Sequence, residues 1–349
     1  MNPKDRSNFC AANALIIRQY EHFLREAQGL AETTIVLNLR AIADYEKFTS
    51  HANFKSFSAD NAVAYKRGLL KKGGRHAAEK SSRATVYSKL RAVERFFRWL
   101  SDKPTYKSRI QISDTAYFRL SNRDVALTRG HTFKDAASLE QLRHVISLMP
   151  SSSAIEKRNR ALLACTLLTG VRIKALITLK LKHMRADNLG INQDAEEVGT
   201  KFAKTIPTAF FPVGDDIRAI LLDYVQFLKS ELHFGNNDPL FPSTRKEVGE
   251  DRIFHWVGLT REHWETPEPV RRIFREAFAA ASIPYFSPHT VRNTLVLLGQ
   301  EICVGPADFK AWSQNLGHES TLTTFNSYGH LPERQQISLI QSLANKKTR

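Results

Sequence analysis

Four short stretches hold the side chains of this chain best suited to chemistry. Thr169-Gly170-Val171-Arg172 places an arginine just after a glycine break, and Ser287-Pro288-His289-Thr290-Val291-Arg292 pairs a histidine with another arginine. Leu316-Gly317-His318 follows, and then Thr323-Thr324-Phe325-Asn326-Ser327-Tyr328. Guanidinium, imidazole and phenol together suit phosphoryl transfer. Breaking a phosphodiester without a metal takes an in-line nucleophile, positive charge for the crowded phosphorus, and a proton for the departing oxygen. Arginine supplies that charge best, because its planar fork binds two phosphate oxygens and keeps its protons. A tyrosine hydroxyl, ionising near about pH 10, needs such neighbours to become a competent nucleophile.

Read singly, each stretch also has an ordinary structural use. Arg172 opens a helix, where its side chain and the exposed N–H groups can face an anion; a surface salt bridge fits the same position. Ser287 is a good N-cap and Pro288 suits the first helical position. His289 and Arg292, three residues apart, then share one face near the helix N-terminus, although such a pair is common by chance. Tyr328 taken alone would pack its ring on the domain surface.

The elements that must hold these groups are mostly helical. Residues 30–48 have helical spacing, and Ser58 caps a helix to about Leu70, before the Gly73-Gly74 break. From Ser82 to Leu100, Val86, Leu90, Val93, Phe97 and Leu100 share one face, while Arg91, Arg95 and Arg98 line another. A basic stripe opposite an apolar one suits a helix lying along a phosphate backbone, or equally a solvated surface. Residues 1–105 are thus expected to form a helical domain. Residues 106–137, with weak periodicity, read as a linker carrying one short ordered piece at Tyr117-Phe118-Arg119-Leu120.

A second domain, 138–349, opens on the capping box Ser138-x-x-Gln141. Its first helix stops at Pro150, and an apolar helix from about Ile155 ends at Gly170. Val198 to Val213 reads as a short hairpin, helices resume from Asp215, and Pro332 opens a final helix with Ile337, Leu339, Ile340 and Leu343. The fold class expected is mainly α with a small β-sheet in the second domain, an α+β arrangement.

Composition narrows the partner. Lys and Arg number 51 against 35 acids, a formal charge of +16. Such an excess attracts a polyanion, and nucleic acid is the commonest one inside cells. Cys10, Cys165 and Cys303 match neither a disulfide framework nor a zinc site, so a reduced, cytoplasmic setting is expected. No apolar run approaches the roughly 18 residues of a membrane span. The sequence lacks a Gly-rich phosphate loop and an acidic cluster, so neither a cofactor nor a metal is expected.

In order, Arg172, Lys201, His289-x-x-Arg292, Leu316-Gly317-His318 and Tyr328 resemble the pattern of the tyrosine recombinases, or phage integrases. The resemblance covers residue 138 to the C-terminus. The helical first domain is similar in architecture to that family's core-binding domain. The resemblance implies a two-domain clamp on double-stranded DNA, with Arg172, Arg292 and His318 on the non-bridging oxygens. It implies that Lys201 protonates the 5′ oxygen, that His289 assists proton transfer, and that Tyr328 forms a 3′-phosphotyrosyl bond. Lys204 stands three residues from Lys201 and is the alternative proton donor. The chain departs from the family pattern at Ala175, where an acid is frequent, at Asn293, and in one extra residue between His318 and Tyr328. The resemblance further implies four protomers exchanging strands in pairs through a Holliday junction, in a bacterial mobile element or prophage. A DNA-bending accessory protein is a candidate partner, and no membrane is involved. The final helix would dock on a neighbouring subunit or on its own domain. Type IB topoisomerases and hairpin telomere resolvases share the chemistry, and a non-cleaving DNA-binding regulator is the alternative of another class.

Overall fold

The computed structural model describes residues 10–72, 82–129, 136–200, 204–248, 252, 254–318, 337–338 and 340–341. The chain divides into two units, Met1–Gly130 and His131–Arg349. Among the described residues no helix is long and apolar enough to cross a membrane.

The first unit is built from α1 (Ala11–His22), α2 (Glu32–Phe48), α3 (Ala59–Lys72), α4 (Arg83–Ser101), the short α5 (Pro104–Lys107) and α6 (Asn122–Arg129). Ser58 and Ser82 cap α3 and α4 as their sequence implies: each hydroxyl accepts the backbone N–H three residues on. The apolar face of α4 lies at the centre, where Phe96 and Phe97 pack edge-on against each other and against Phe54.

The linker expected over residues 106–137 is mostly absent. Tyr106, Ile110 and Phe118 belong to the first core, and Phe118 is fully buried in stacked contact with Phe57 and Phe97. The segment reads as a linker because α5 and a 3-10 turn, Ile112–Phe118, each bury only isolated residues. Structure of that kind leaves no helical periodicity in the sequence.

The second unit comprises α7 (Leu139–Leu148), α8 (Ala154–Thr169), α9 (Ile173–Leu176), α10 (Asp215–Ser230), α11 (Glu268–Ala280), α12 (Pro288–Ile302) and α13 (Pro306–Asn315). Both halves of the capping box form at Ser138 with Gln141, and again at Ser153 with Glu156. Helix α8 is buried along most of its length and forms the axis of the core. The entry to α7 is tied down by Thr294 of α12, whose hydroxyl donates to the Ala137 carbonyl at 2.6 Å.

Among the described residues two separate antiparallel hairpins replace the single expected one. Strand β1 (Gly190–Gln193) pairs with β2 (Ile206–Ala209), and β3 (Thr244–Val248) pairs with β4 (Phe254–Leu259). The first begins upstream of the expected Val198, because Val198 turns into the core and Glu197 turns onto a cationic cluster. The second falls in the stretch beyond Asp215, where the sequence suggests helices throughout.

Candidate active site

Helix α8 ends where Gly170 turns into the left-handed region, φ 58°. A Cβ there would lie 2.9 Å from side-chain carbons of both Leu295 and Leu316, so glycine is required for conformation and for space. Two residues later Arg172 caps the short α9, with its side chain half-buried. Burial lowers its pKa, and among the described residues nothing hydrogen-bonds its guanidinium.

Helix α12 contributes the next pair. Pro288 occupies its first turn, and Ser287 is the N-cap by backbone geometry, but its hydroxyl caps nothing. The Thr290 hydroxyl instead donates back to the Ser287 carbonyl at 2.7 Å. His289 is exposed, whereas Arg292, one turn further, is buried. The Arg292 guanidinium donates from Nη1 to the Gly170 carbonyl, and from Nη2 to the Leu316 carbonyl at 2.6 Å. Burial, and then the nearby charge of Arg172, bring its pKa down to about 9, so it stays protonated at neutral pH.

His318 completes the cluster. Helix α13 ends at Asn315 with Leu316 as its C-cap, Gly317 reverses the chain at φ 65°, and the His318 N–H returns to the Ser313 carbonyl at 3.0 Å. This turn sets His318 Nε2 3.0 Å from Arg292 Nη2. Burial lowers the imidazole pKa to about 4, with the charges of Arg292, Arg172 and His289 pushing the same way. His318 is therefore neutral at pH 7, and Nε2 accepts the Arg292 proton.

The groups that fix this turn carry no signal in the sequence. Asn315 pairs its side-chain amide with both backbone groups of Ala209, accepting at 2.7 Å and donating at 2.9 Å, and so joins α13 to the end of β2. Trp312 donates to the Leu295 carbonyl at 2.9 Å and lies over Gly299, where a Cβ would meet the indole at 2.7 Å. A cavity of about 480 Å³ opens beside His318, lined by Lys204, Thr205, Ile206, Pro207 and Gln314 among others.

Of the six residues expected to carry chemistry, the structure gathers Arg172, His289, Arg292 and His318. Lys201, Tyr328 and most of the expected final helix lie outside the described residues. What precedes Lys201 is firmly held. Glu197 receives Lys182 at 2.7 Å, His183 at 3.1 Å and Lys180 at 3.4 Å, and its pKa falls to about 2, led by the Lys182 hydrogen bond. The Gly199 N–H donates to the Thr178 hydroxyl at 2.8 Å, joining this loop to the residues just after α9. Arg91, Arg95 and Arg98 lie on the exposed face of α4 in the first unit.

Two guanidiniums and a neutral imidazole, with the exposed His289 close enough for its charge to act on that imidazole, make a fixed positive site of a kind that suits a phosphodiester or similar anion. The chain belongs to the phage integrase family, whose model matches residues 135–334, and is accordingly a tyrosine recombinase, an enzyme of site-specific DNA recombination. It is 22% identical to tyrosine recombinase XerD of Oceanobacillus iheyensis over 335 residues, covering 93% of this chain and 97% of that one. Its fold is similar to a lambda integrase dimer bound to a COC′ core site, with TM-score 0.62 and 17% identity, covering 90% of this chain and 94% of the other. It is also similar to a lambda integrase tetramer bound to a Holliday junction, with TM-score 0.58, 16% identity and coverages of 95% and 83%. The Tn1549 transposon integrase in complex with transposon right end DNA gives TM-score 0.55, 14% identity and coverages of 94% and 99%.

Proposed function

We propose that this recombinase cuts and rejoins duplex DNA through Tyr328, using the cluster around Arg292 to stabilise the transition state. The reading is carried by the meeting of Arg172, Arg292 and His318, because fixed positive charge in a part-buried site is what a pentacoordinate phosphate requires. Arg172, without a hydrogen-bond partner among the described residues, and the N–H groups of Arg292 left over from its bonds to the two carbonyls and to His318 hold the non-bridging oxygens. An arriving phosphate offsets the two guanidiniums, which lets His318 take up a proton and donate to an oxygen. His289, exposed at the N-terminus of α12, assists proton transfer from Tyr328. Lys201 protonates the departing 5′ oxygen, and Lys204 is the alternative donor.

The 3′-phosphotyrosyl bond stores the energy of the broken phosphodiester, so rejoining needs no external energy source. The first unit grips the duplex through Arg91, Arg95 and Arg98, and backbone contacts make binding steeply salt-dependent. Four protomers exchange strands through a Holliday junction on the bacterial nucleoid, with a DNA-bending accessory protein as a further partner. The test is covalent trapping on nicked duplexes drawn from DNA flanking the gene, with mass spectrometry of the adduct. Wild-type protein is expected to form an adduct at Tyr328, and Tyr328→Phe to bind DNA without forming one. Cleavage retained by Tyr328→Phe sinks the mechanism. Strand exchange between two DNA molecules separates recombination from mere relaxation.

A further inference from the structure

Glu94 has the wrong charge for the face it occupies. It lies on α4 among Arg91, Arg95 and Arg98, yet its carboxylate is only 1% exposed. One oxygen accepts from Arg91 Nη1 at 3.0 Å, and the other accepts from Arg119 Nε at 2.7 Å. The two arginines remain about half exposed, 47% and 52%. Arg119 comes from the segment that the sequence offers as a linker, and its carbonyl accepts from Lys66 at 3.0 Å. Arg95 repeats the pattern: the buried Asn38 side chain accepts its Nη2 at 3.3 Å.

A solvated basic surface carries long, rotating side chains with no buried anchors. Here three guanidiniums are held at their inner edge by buried acceptors while their outer edges face solvent. A buried carboxylate costs free energy unless it is fully paired, and among the described residues the cations paired with Glu94 are these two arginines. Arg119 commits its Nε and keeps its terminal nitrogens; Arg91 commits one Nη. Pre-fixing a guanidinium removes the entropy that it would otherwise lose on meeting a phosphate.

We infer that Glu94 is a positioning residue for DNA binding, a buried acid that sets Arg91 and Arg119 as a paired phosphate clamp on the first unit. The inference rests on the reading that this unit grips DNA. It reverses the simple electrostatic expectation, in which removing an acid from a basic face tightens binding to a polyanion.

The experiment measures the affinity of the full chain for a fluorescent duplex of mixed sequence over a series of salt concentrations. Glu94→Gln is expected to bind several-fold more weakly and to flatten the slope of log affinity against log salt by about 1–2, at about 0.9 for each phosphate no longer neutralised. The slope reports only folded, bound molecules, so a loss of stability alone leaves it unchanged. Equal or tighter binding, or an unaltered slope whatever the affinity, overturns the inference. Arg119→Gln leaves Glu94 a donor but removes the charge, and should lower the slope by about 1; an unaltered slope there also overturns it. The reading beneath is tested separately by Arg91→Ala, Arg95→Ala and Arg98→Ala combined. If that triple variant binds as wild type, the first unit does not face DNA; if it weakens while Glu94→Gln does not, only the clamp is refuted.

Discussion

His318 offers the sharpest check on the site, because its environment fixes both the direction and the size of a measurable effect. Its folded pKa of about 4 lies below the roughly 6.5 of an unfolded histidine. Below pH ~6.5 the unfolded chain takes up a proton that the folded site refuses. Folding stability associated with neutral His318 is therefore complete above pH ~6.5 and is lost as pH falls toward about 4. At ~1.36 kcal/mol per pH unit, the gap of roughly 2.5 units sets a ceiling of ~3.4 kcal/mol. The ring is only part-buried, and screening reduces this to about 1–2 kcal/mol. Proton NMR of histidine-labelled protein titrated from acid to neutral pH reads the pKa directly, with His318→Gln assigning the resonance. Inorganic phosphate should move the pKa upward, since an anion between Arg172 and Arg292 offsets the charges that hold it down. A ring that titrates at or above ~6.5 in the phosphate-free protein refutes the picture of a neutral imidazole accepting from Arg292.

Two further outcomes follow from the packing. Gly170→Ala forces a Cβ into the left-handed region and against Leu295 and Leu316. It should cost ~2–4 kcal/mol in the denaturant transition of the second unit, and lower cleavage with it. Arg158 is buried, donates to the Pro242 carbonyl and the Thr244 hydroxyl, and lies over the Trp264 ring at 4.8 Å. Arg158→Met should destabilise that unit by ~2–3 kcal/mol by orphaning those acceptors, while the salt slope of DNA binding stays as in wild type.

Sequence is most informative where one residue type does one local job. Ser82, Ser138 and Gly170 declare helix ends, because caps and left-handed turns depend on a side chain a few residues away at most. Arg172, His289, Arg292 and His318 declare a chemistry through residue type and order. What stays hidden depends on distant partners. Nothing near Asn315 in sequence signals that its amide completes a strand edge at Ala209, 106 residues away. The stretch Tyr117-Phe118-Arg119-Leu120 signals local order, but nothing near it signals that Phe118 seals the first core from within an irregular segment. The β3–β4 hairpin escapes a pattern search because β3 is exposed along nearly its whole length and so carries no alternating apolar face, and its pairing with β4 shifts register between Arg245 and Lys246.

The two carbonyl bonds of Arg292 reach across 122 residues to Gly170 and across 24 to Leu316. The group proposed to bear the charge of strand cleavage is thus also a rivet holding three chain segments together. A partly folded molecule, lacking either segment, has no aligned guanidinium to offer. On that proposed role, the recombinase carries in this rivet its own safety catch: the power to cut arrives only with the finished fold.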